Sequence, residues 1–464
     1  MVREYLSSID TAMLHLDEPT NPMMITAVMV LQSPVDFERL KLTVQDRLLS
    51  MRRFRQRLAW SPFGVGKPYW QDDPALDLGY HLQRAHLGVQ RDEAALQEVV
   101  SLLASTPLDL SRPLWQFHLV ENYAPCCALI LRFHHSLGDG MAIVQVILSL
   151  TDSDANAPWP VLRPDRDRSQ HTSPLGAALG PVRQGLRATR KASARLARES
   201  VSLAARPSRL IDAGLTGRDA ALDLSRFLLL KPDPDTSLRG ELGMRKRVAW
   251  SEEIPLETVQ SIRRKLGGTV NDVLLTVVAG ALRRYLQNRG EPVDNLSIRV
   301  TIPVSMRSPG RKIELGNRVG AVFVTLPISI ADPACRLSEV VRRMDGRKAS
   351  WEGPIFYVAL KALGHTPGQM ANALINAFST RATAVMTNVR GPQEQLYLAG
   401  SPVEALLPWA PTTGRMGIAL SVLSYAGEVR LGVLADEGLV PEPERVVAGF
   451  QAEFDALLAQ AGAA

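Results

Sequence analysis

Cysteine is scarce in this chain, with three among 464 residues. Cys126 and Cys127 are adjacent and Cys335 is distant, so they offer neither a disulfide framework nor the ligand spacing of a metal site. We expect them to be small core residues instead. This cysteine usage is typical of proteins from a reducing cytoplasm.

Long apolar runs are missing as well. The longest, Met23 to Leu31 and Val273 to Leu282, fall well short of the ~20 residues that a membrane-spanning helix needs. The beginning of the sequence carries Glu4, Asp10 and His15, so it lacks the charged-then-apolar layout of a secretory signal. We expect a cytoplasmic protein, and we expect any membrane contact to be peripheral, on the inner membrane surface.

The sequence has an ordinary globular composition with an excess of positive charge. Apolar residues make up 46% and charged residues 22%, which is the balance of a folded chain. The net charge of +6 and the pI near 9.3 favour anionic partners, among them nucleic acid, acidic lipid headgroups and phosphate-bearing small molecules. We discount nucleic acid, because the basic residues cluster in one segment without interleaved aromatics.

Two domains joined by a linker are expected from the length, since one hydrophobic core seldom organises 464 residues. A proline-rich connector follows Asp152, and beyond Pro234 the pattern of the first part restarts. We therefore assign residues 1–153 to an N-terminal domain, 154–243 to the linker and 244–464 to a C-terminal domain.

The linker contains a strongly basic segment. Between Arg183 and Arg198 the basic residues alternate with leucines and no acidic residue occurs, which predicts a basic amphipathic helix. Such a helix could bind an anionic membrane surface. The commoner explanation for such a helix is a solvated face that covers the junction of the two domains.

Helix and strand alternate through both halves, which predicts an α/β fold. Apolar and β-branched runs predict strands at Ile25–Leu31, Trp115–Glu121, Cys127–His134, Lys246–Trp250, Leu296–Pro303, Val319–Leu326, Thr383–Asn388, Arg415–Ser424 and Glu428–Leu434. Helical spacing predicts helices at Phe37–Met51, Glu93–Leu103, Met141–Leu150, Leu256–Leu266, Asn271–Leu286, Leu337–Arg347, Phe356–Phe378 and Val446–Leu457.

The main candidate for chemistry is the segment from His134 to Gly140, where a strand runs through a loop into an apolar helix. Alternation along a strand sends the side chains of His134 and His135 to opposite faces, so only one can enter a given pocket. A neutral imidazole, with a pKa near ~6.5, can accept a proton from a hydroxyl group near neutral pH. A purely structural histidine pair is the alternative, and a zinc site is disfavoured because no third ligand follows at a typical spacing.

Two further residues of this segment have expected roles beside the histidines. Asp139 is close enough in sequence to brace the loop through a buried ion pair or backbone hydrogen bonds. Gly140 leaves space at the point where a substrate would approach the imidazole.

The segment His134-His135-Ser136-Leu137-Gly138-Asp139-Gly140 resembles the HHxxxDG signature of the coenzyme A-dependent acyltransferase superfamily. The chain is most similar to the bacterial wax ester synthase/diacylglycerol acyltransferase family, and the likeness spans nearly its whole length. It rests also on Ser8-Ile9-Asp10, Asn21-Pro22-Met23, Pro113-Leu114-Trp115, Thr269-Val270-Asn271-Asp272, Pro303-Val304-Ser305-Met306-Arg307, Gly316-Asn317 and Asn388-Val389-Arg390-Gly391-Pro392. The family pattern often has proline at the position of Arg390.

This resemblance implies two chloramphenicol-acetyltransferase-like α/β domains, joined by a helical linker, with a tunnel at their interface. It implies that His135 is the general base and that Asp139 is structural. The expected activity moves a long-chain fatty acyl group from acyl-CoA to diacylglycerol or a long-chain alcohol, giving triacylglycerol or wax ester. Acyl-CoA is then a substrate, and no cofactor or metal is expected; a membrane or lipid-droplet surface is an expected partner, and nucleic acid is not.

The resemblance places three more residues near the reaction. We hypothesise that Asn271 donates its amide to the thioester oxyanion, with a helix N-cap as the equally weighted alternative. Asp272 and Gly140 are expected to contact substrate. Arg307 is expected either to pair with a buried carboxylate such as Asp139 or to bind a phosphate of coenzyme A.

Two other functions stay open from the sequence. A condensation-domain-like or polyketide-associated acyltransferase would share HHxxxDG and take its donor from a carrier protein. A catalytically idle protein could use the basic helix and an apolar channel to bind lipid alone. An intact His135 argues against the second.

Overall fold

The structure is a computed structural model that describes residues 4–60, 67–124, 126–161, 231–307, 315–345, 352–365 and 379–463. The predicted basic helix at 183–198 and the second half of the helix predicted at Phe356–Phe378 lie outside these residues. The strands β1 to β16 are Glu4–Tyr5, Met24–Leu31, Gln56–Ala59, Tyr69–Asp72, Leu82–Ala85, Trp115–Val120, Cys127–His134, Lys246–Trp250, Ile254–Pro255, Ile298–Ser305, Val319–Leu326, Ala384–Arg390, Tyr397–Leu398, Ser401–Trp409, Ile418–Tyr425 and Glu428–Asp436. The helices α1 to α10 are Ser8–His15, Phe37–Thr43, Leu78–His81, Glu93–Ser105, Gly140–Ser149, Leu256–Leu266, Val270–Asn288, Pro333–Asp345, Glu352–Leu363 and Pro443–Ala463.

The described residues form two large mixed sheets and one small one. The first large sheet has the order β13-β14-β2-β7-β6-β5. The second has the order β11-β10-β12-β15-β16-β8, with β9 paired to β16. A three-stranded sheet of β1, β4 and β3 lies apart. This confirms the predicted α/β fold.

The second half of the sequence contributes strands β13 and β14 to the first sheet. β14, from the second half, pairs antiparallel with β2, and its register runs from Val403 opposite Leu31 to Trp409 opposite Thr26. No pattern in the sequence had indicated β13 or β14. The predicted domain limits divide the chain by sequence position, and they remain a prediction. In the structure, the first sheet contains strands from both halves of the chain.

The strand that carries the histidine motif is buried on both faces. Along β7 the odd-numbered residues Leu129, Leu131 and Phe133 enter the core of the first half. Ala128 and Ile130 point the other way, into a cluster that draws side chains from both large sheets. The histidine motif begins where this doubly buried strand ends.

Local sequence explains why the helices next to the motif start where they do. Asp139 is the N-cap of α5 and its Oδ1 accepts a hydrogen bond of 3.0 Å from the Ala142 N–H. Thr269 is the N-cap of α7, in a reciprocal capping box with Asp272. Both caps lie in motifs that the sequence singled out.

Several predicted elements match the structure closely. The strands at Cys127–His134, Lys246–Trp250 and Val319–Leu326 and the helix at Leu256–Leu266 have the predicted limits. The helix predicted at Phe37–Met51 is shorter, because α2 ends at Thr43 and continues as a π-helical turn over Val44–Leu48. Cys127 is buried as expected, whereas Cys335 is exposed rather than in the core.

Candidate active site

The histidine motif forms a sharp turn at the end of β7. His134 is the last residue of the strand, a 3-10 turn covers His135–Leu137, and α5 starts at Gly140. The His135 N–H donates to the Met23 carbonyl at 2.7 Å, which holds the turn against the start of β2. His135 is half-buried, while His134 is 1% exposed.

His134 is held inside the protein by its own turn. Its Nδ1 accepts the Ser136 N–H at 3.1 Å, and its Nε2 lies 3.5 Å from Oδ2 of Asp17. The other oxygen of Asp17 accepts the Met23 N–H at 2.8 Å. These contacts make His134 a structural anchor of the motif, with both of its ring nitrogens facing protein groups.

His135 instead turns one nitrogen to the second half of the chain. Its Nδ1 lies 3.0 Å from Oδ1 of Asn317, which is 182 positions away in the sequence. Burial lowers the pKa of His135 below the ordinary histidine value, and the nearby carboxylate of Asp139 partly opposes this by favouring the protonated ring. The neutral imidazole is therefore the favoured form near neutral pH, as a general base requires.

Asn317 is in turn fixed by Asp10 on α1. Oδ1 of Asp10 accepts the Asn317 main-chain N–H at 3.2 Å and the side-chain Nδ2 at 2.8 Å. The same Nδ2 lies 2.7 Å from the His135 carbonyl oxygen. Asp10 and Asn317 are 7% and 5% exposed, so water competes little with these hydrogen bonds.

Asp139 forms a second contact with the same distant segment. Its Oδ2 accepts from Arg307 Nη2 at 2.8 Å and from the Arg318 N–H at 2.9 Å. Of the two roles expected for Arg307, the structure shows the ion pair with Asp139. Binding of a coenzyme A phosphate by Arg307 stays a prediction.

The loop of the motif also pairs directly with residues near Asn317. Gly138 and Gly316 form an isolated parallel bridge, and the Gly316 N–H donates to the Leu137 carbonyl at 3.0 Å. Gly316 has φ +100°, a conformation that favours glycine. A Cβ at Gly138 would lie 3.1 Å from the Ala142 Cβ, so close packing restricts that position as well.

Gly140 differs from these two glycines. It is exposed, and a Cβ there would meet no atom within 4 Å. Packing within the protein does not require glycine at this first position of α5. Room for a substrate remains the predicted reason for it.

The second cluster of predicted residues lies at the start of α7. Thr269 and not Asn271 is the N-cap, so the capping alternative for Asn271 is wrong. The carboxylate of Asp272 accepts from the Thr269 N–H and Oγ1, both at 2.8 Å, and thereby completes the cap. Asn271 Oδ1 lies 3.0 Å from Asn388 Nδ2, which joins two of the sequence motifs. The hydrogen bonds of the described residues do not join this pair to the His135 network.

Sequence reasoning gave no role to three residues that the structure places around the histidines. Asp10 and Asn317 hold His135, and Asp17 faces His134. Asp10 and Asn317 already stood in matched motifs. The available signal was the carboxylate of Asp10 among the apolar residues Ile9, Ala12 and Met13, because a buried charge needs a partner.

Comparison with protein families decides what kind of site this is. A model of the wax ester synthase/diacylglycerol acyltransferase catalytic domain matches residues 6–274, and one of the C-terminal domain of the same family matches residues 315–458. The chain belongs to the wax ester synthase/diacylglycerol acyltransferase family. It is an acyltransferase, as the histidine motif had predicted.

Two curated relatives from Mycobacterium tuberculosis carry names that describe diacylglycerol O-acyltransferases. One, tgs1, is 28% identical, over 96% of this chain and 94% of its own length. Another is 27% identical, over 98% of this chain and 90% of its own length. The likeness thus extends across both halves and the linker.

Solved structures show the same fold. The wax ester synthase/diacylglycerol acyltransferase from Marinobacter aquaeolei VT8 has a TM-score of 0.70 at 22% identity and covers 99% of this chain and 100% of its own. The first condensation domain of the calcium-dependent antibiotic synthetase has a TM-score of 0.57 at 17% identity and covers 98% and 97%. These matches confirm the two-domain acyltransferase fold.

Proposed function

We propose that this acyltransferase moves a fatty acyl group from a coenzyme A thioester to the hydroxyl of diacylglycerol or a long-chain alcohol, with His135 as general base. The observation that carries the proposal is the half-buried position of His135 at the end of β7, where burial lowers the pKa of its imidazole. Its Nδ1 is held by Asn317 at 3.0 Å, which leaves Nε2 to meet a substrate. The names of the mycobacterial relatives support the acceptor class.

The proposed reaction is a direct transfer between two bound substrates. Nε2 of His135 takes the proton of the acceptor hydroxyl while the oxygen attacks the thioester carbonyl carbon. The tetrahedral intermediate then breaks its C–S bond, and the departing thiolate takes the proton back from Nε2. An ester and free coenzyme A result, with no acyl group attached to the enzyme at any stage.

Negative charge on the tetrahedral intermediate needs a hydrogen-bond donor. Asn271 stays our candidate, because its contact with Asn388 uses Oδ1 and so engages the carbonyl side of the amide. One well-placed donor of this kind typically accounts for about 10²- to 10³-fold in rate. Asn271→Ala should therefore lower kcat by about that factor.

A fatty acyl donor is favoured by the physics of burial. Each methylene that leaves water for an apolar channel contributes about 0.8 kcal/mol. A long acyl chain therefore binds through its tail, while the histidine motif handles only the ester chemistry. Chain length selectivity follows from channel length and is measured with a series of acyl-CoA donors.

We further propose peripheral contact of a cytoplasmic enzyme with an anionic lipid surface. Support comes from the basic sequence at 183–198, outside the described residues. Within the described part of the chain, no single helix is long and apolar enough to cross a membrane, and the pair α6 and α7 meets that length and hydropathy only jointly, across a bend of 97°. Flotation with phosphatidylglycerol vesicles, compared with phosphatidylcholine vesicles, tests the contact.

The decisive experiment mixes purified enzyme with palmitoyl-CoA and either hexadecanol or a diacylglycerol. Thiol release is followed with a chromogenic disulfide and the ester product by chromatography. Acceptor-dependent release supports transfer. Binding of both lipids without release would favour the idle lipid-binding alternative, and turnover only with a carrier-bound thioester would favour the condensation-like alternative, whose fold the chain shares.

A further inference from the structure

Two sequence motifs that have no role in the proposed reaction, one with Asp10 and one with Asn317, come together near His135. Asp10 lies on α1 near the beginning of the chain, and Asn317 lies just before β11 in its second half. They contact each other across 307 positions of sequence, and Asn317 contacts His135 across 182. Both are at least nine-tenths buried.

The hydrogen bonds of Asn317 fix which end of its amide faces His135. One neighbour of Nδ2 is the His135 carbonyl oxygen at 2.7 Å, and a carbonyl can only accept. The other neighbour is Oδ1 of Asp10, which also accepts the Asn317 main-chain N–H. Both amide hydrogens are thus committed to acceptors, so the nitrogen cannot exchange places with the oxygen.

The remaining amide atom, Oδ1, can only accept, and it lies 3.0 Å from His135 Nδ1. The proton of the neutral ring must then be on Nδ1, which leaves the lone pair on Nε2. We propose that Asp10 and Asn317 are positioning residues that hold His135 in the Nδ1–H tautomer with Nε2 as the basic atom. The catalytic part of this inference rests on the proposed function of His135.

The neighbouring His134 has the opposite tautomer for an equally direct reason. Its Nδ1 accepts the main-chain N–H of Ser136 and so carries no proton. Its proton is on Nε2, which faces Asp17. Two adjacent histidines in one turn are therefore assigned to different roles by the hydrogen bonds that each one makes.

An amide suits this position better than a carboxylate would. A carboxylate in contact with Nδ1 stabilises the imidazolium and raises the pKa of the base, whereas an amide orients the ring without adding charge. The charged or titratable groups that face His135 are Asp139, His134 and, one residue further away, Asp10 and Arg307. The carboxylate of Asp10 contacts the amide of Asn317, and the neutral amide in turn contacts the ring.

The tautomer is measured directly on the unmodified protein. The chain has 8 histidines, and nitrogen-15 labelling of their rings followed by long-range proton–nitrogen correlation distinguishes Nδ1–H from Nε2–H rings. The signals of His134 and His135 are assigned by their loss in His134→Gln and His135→Gln. We expect Nε2–H for His134 and Nδ1–H for His135; an Nε2–H ring at His135 would overturn the inference, whatever the enzyme's activity.

Kinetics of three variants test the positioning role. Asn317→Ala should lower kcat roughly 10- to 100-fold with little change in KM, because bound substrate meets a ring of mixed tautomer. Asp10→Asn keeps an acceptor for Asn317 and should retain much more activity than Asp10→Ala. Equal losses for Asp10→Asn and Asp10→Ala would contradict an orienting hydrogen bond.

A double variant separates orientation from mere packing. Asp10→Asn combined with Asn317→Asp moves the carboxylate into contact with His135 Nδ1, and it should shift the acid limb of the kcat–pH profile to higher pH. Asn122→Ala is the matched control, since its amide makes two backbone hydrogen bonds of 2.8 Å to Leu87, away from the motif. It should lower stability and leave the profile unchanged; a double variant with the wild-type acid limb would contradict the proposal.

Discussion

Among the contacts that connect the halves of this protein, two differ in kind, and we call them the site joint and the strand joint. At the site joint, Asp10 and Asp139 of the first half hold Asn317 and Arg318 of the second through a few polar hydrogen bonds. At the strand joint, β14 adds to β2 through a ladder of backbone pairs, with Trp409 buried at its end. The first joint holds the imidazole that we propose as the general base; the second removes a large apolar area from water.

This difference predicts that the two joints respond differently to mutation. Directional hydrogen bonds around one imidazole contribute little net stability but determine where a lone pair points. A buried strand contributes much stability and does not affect the chemistry. The experiments below separate activity from stability at each joint, in order of decreasing effect.

The largest effect is expected at the base itself. His135→Ala should lower kcat about 10²- to 10⁴-fold, because proton transfer from the acceptor is lost, while the unfolding transition stays near that of the wild type. His134→Gln should lose less activity and more stability, since its ring anchors the turn. Thiol release and circular dichroism melting measure the two properties, and the reverse ranking would move the base to His134.

The strand joint should show the opposite behaviour. Trp409 is 0% exposed and packs near Trp250, so Trp409→Ala should lower the free energy of unfolding by about 3 to 5 kcal/mol. Trp409→Phe should cost clearly less. Denaturant unfolding measures both; if the folded fraction of Trp409→Ala also lost most of its kcat, the division between the joints would be wrong.

The ion pair of the site joint should give a smaller effect. Arg307→Met leaves Asp139 Oδ2 with the Arg318 N–H, so we expect a loss of roughly 1 to 3 kcal/mol in unfolding free energy. The KM for acyl-CoA should change little if the guanidinium acts only on Asp139. A strongly raised KM for acyl-CoA would show that Arg307 also binds a coenzyme A phosphate.

The smallest effect concerns pH. Because burial lowers the pKa of His135, the neutral base persists below the usual histidine pKa, and kcat should fall only at lower pH. Asp139 favours the protonated ring, so Asp139→Asn should move the acid limb to still lower pH. Measuring kcat against pH for the wild type and for Asp139→Asn tests the direction of this shift. A shift of the acid limb to higher pH would contradict the prediction.

Part of this architecture could be predicted from the sequence because its signals are local. Alternating apolar residues gave the limits of β7 and β8, and a run of helical spacing gave α6. The residues from His134 to Gly140 predicted a histidine motif with one basic imidazole and a bracing role for Asp139, and the family resemblance implied that the base is His135. These inferences need only neighbours within a few positions.

What the sequence could not provide were the partners. The sequence does not indicate that Asp10 and Asn317, which lie in separate motifs, are in contact. Nor does it indicate which sheet β14 joins. Arg307 had two reasonable partners, and Asn271 had two reasonable roles. The structure excludes the N-cap role of Asn271 and shows that Arg307 pairs with Asp139.

The sequence by itself determined many of the longer helices and strands, the histidine motif and the family to which the chain belongs. The tertiary structure decided which nitrogen of His135 faces Asn317 and which carboxylates hold the second half in place. The physical reason is that secondary structure depends on spacing along the chain, whereas the state of an imidazole depends on donors and acceptors that folding brings within 3 Å from distant positions.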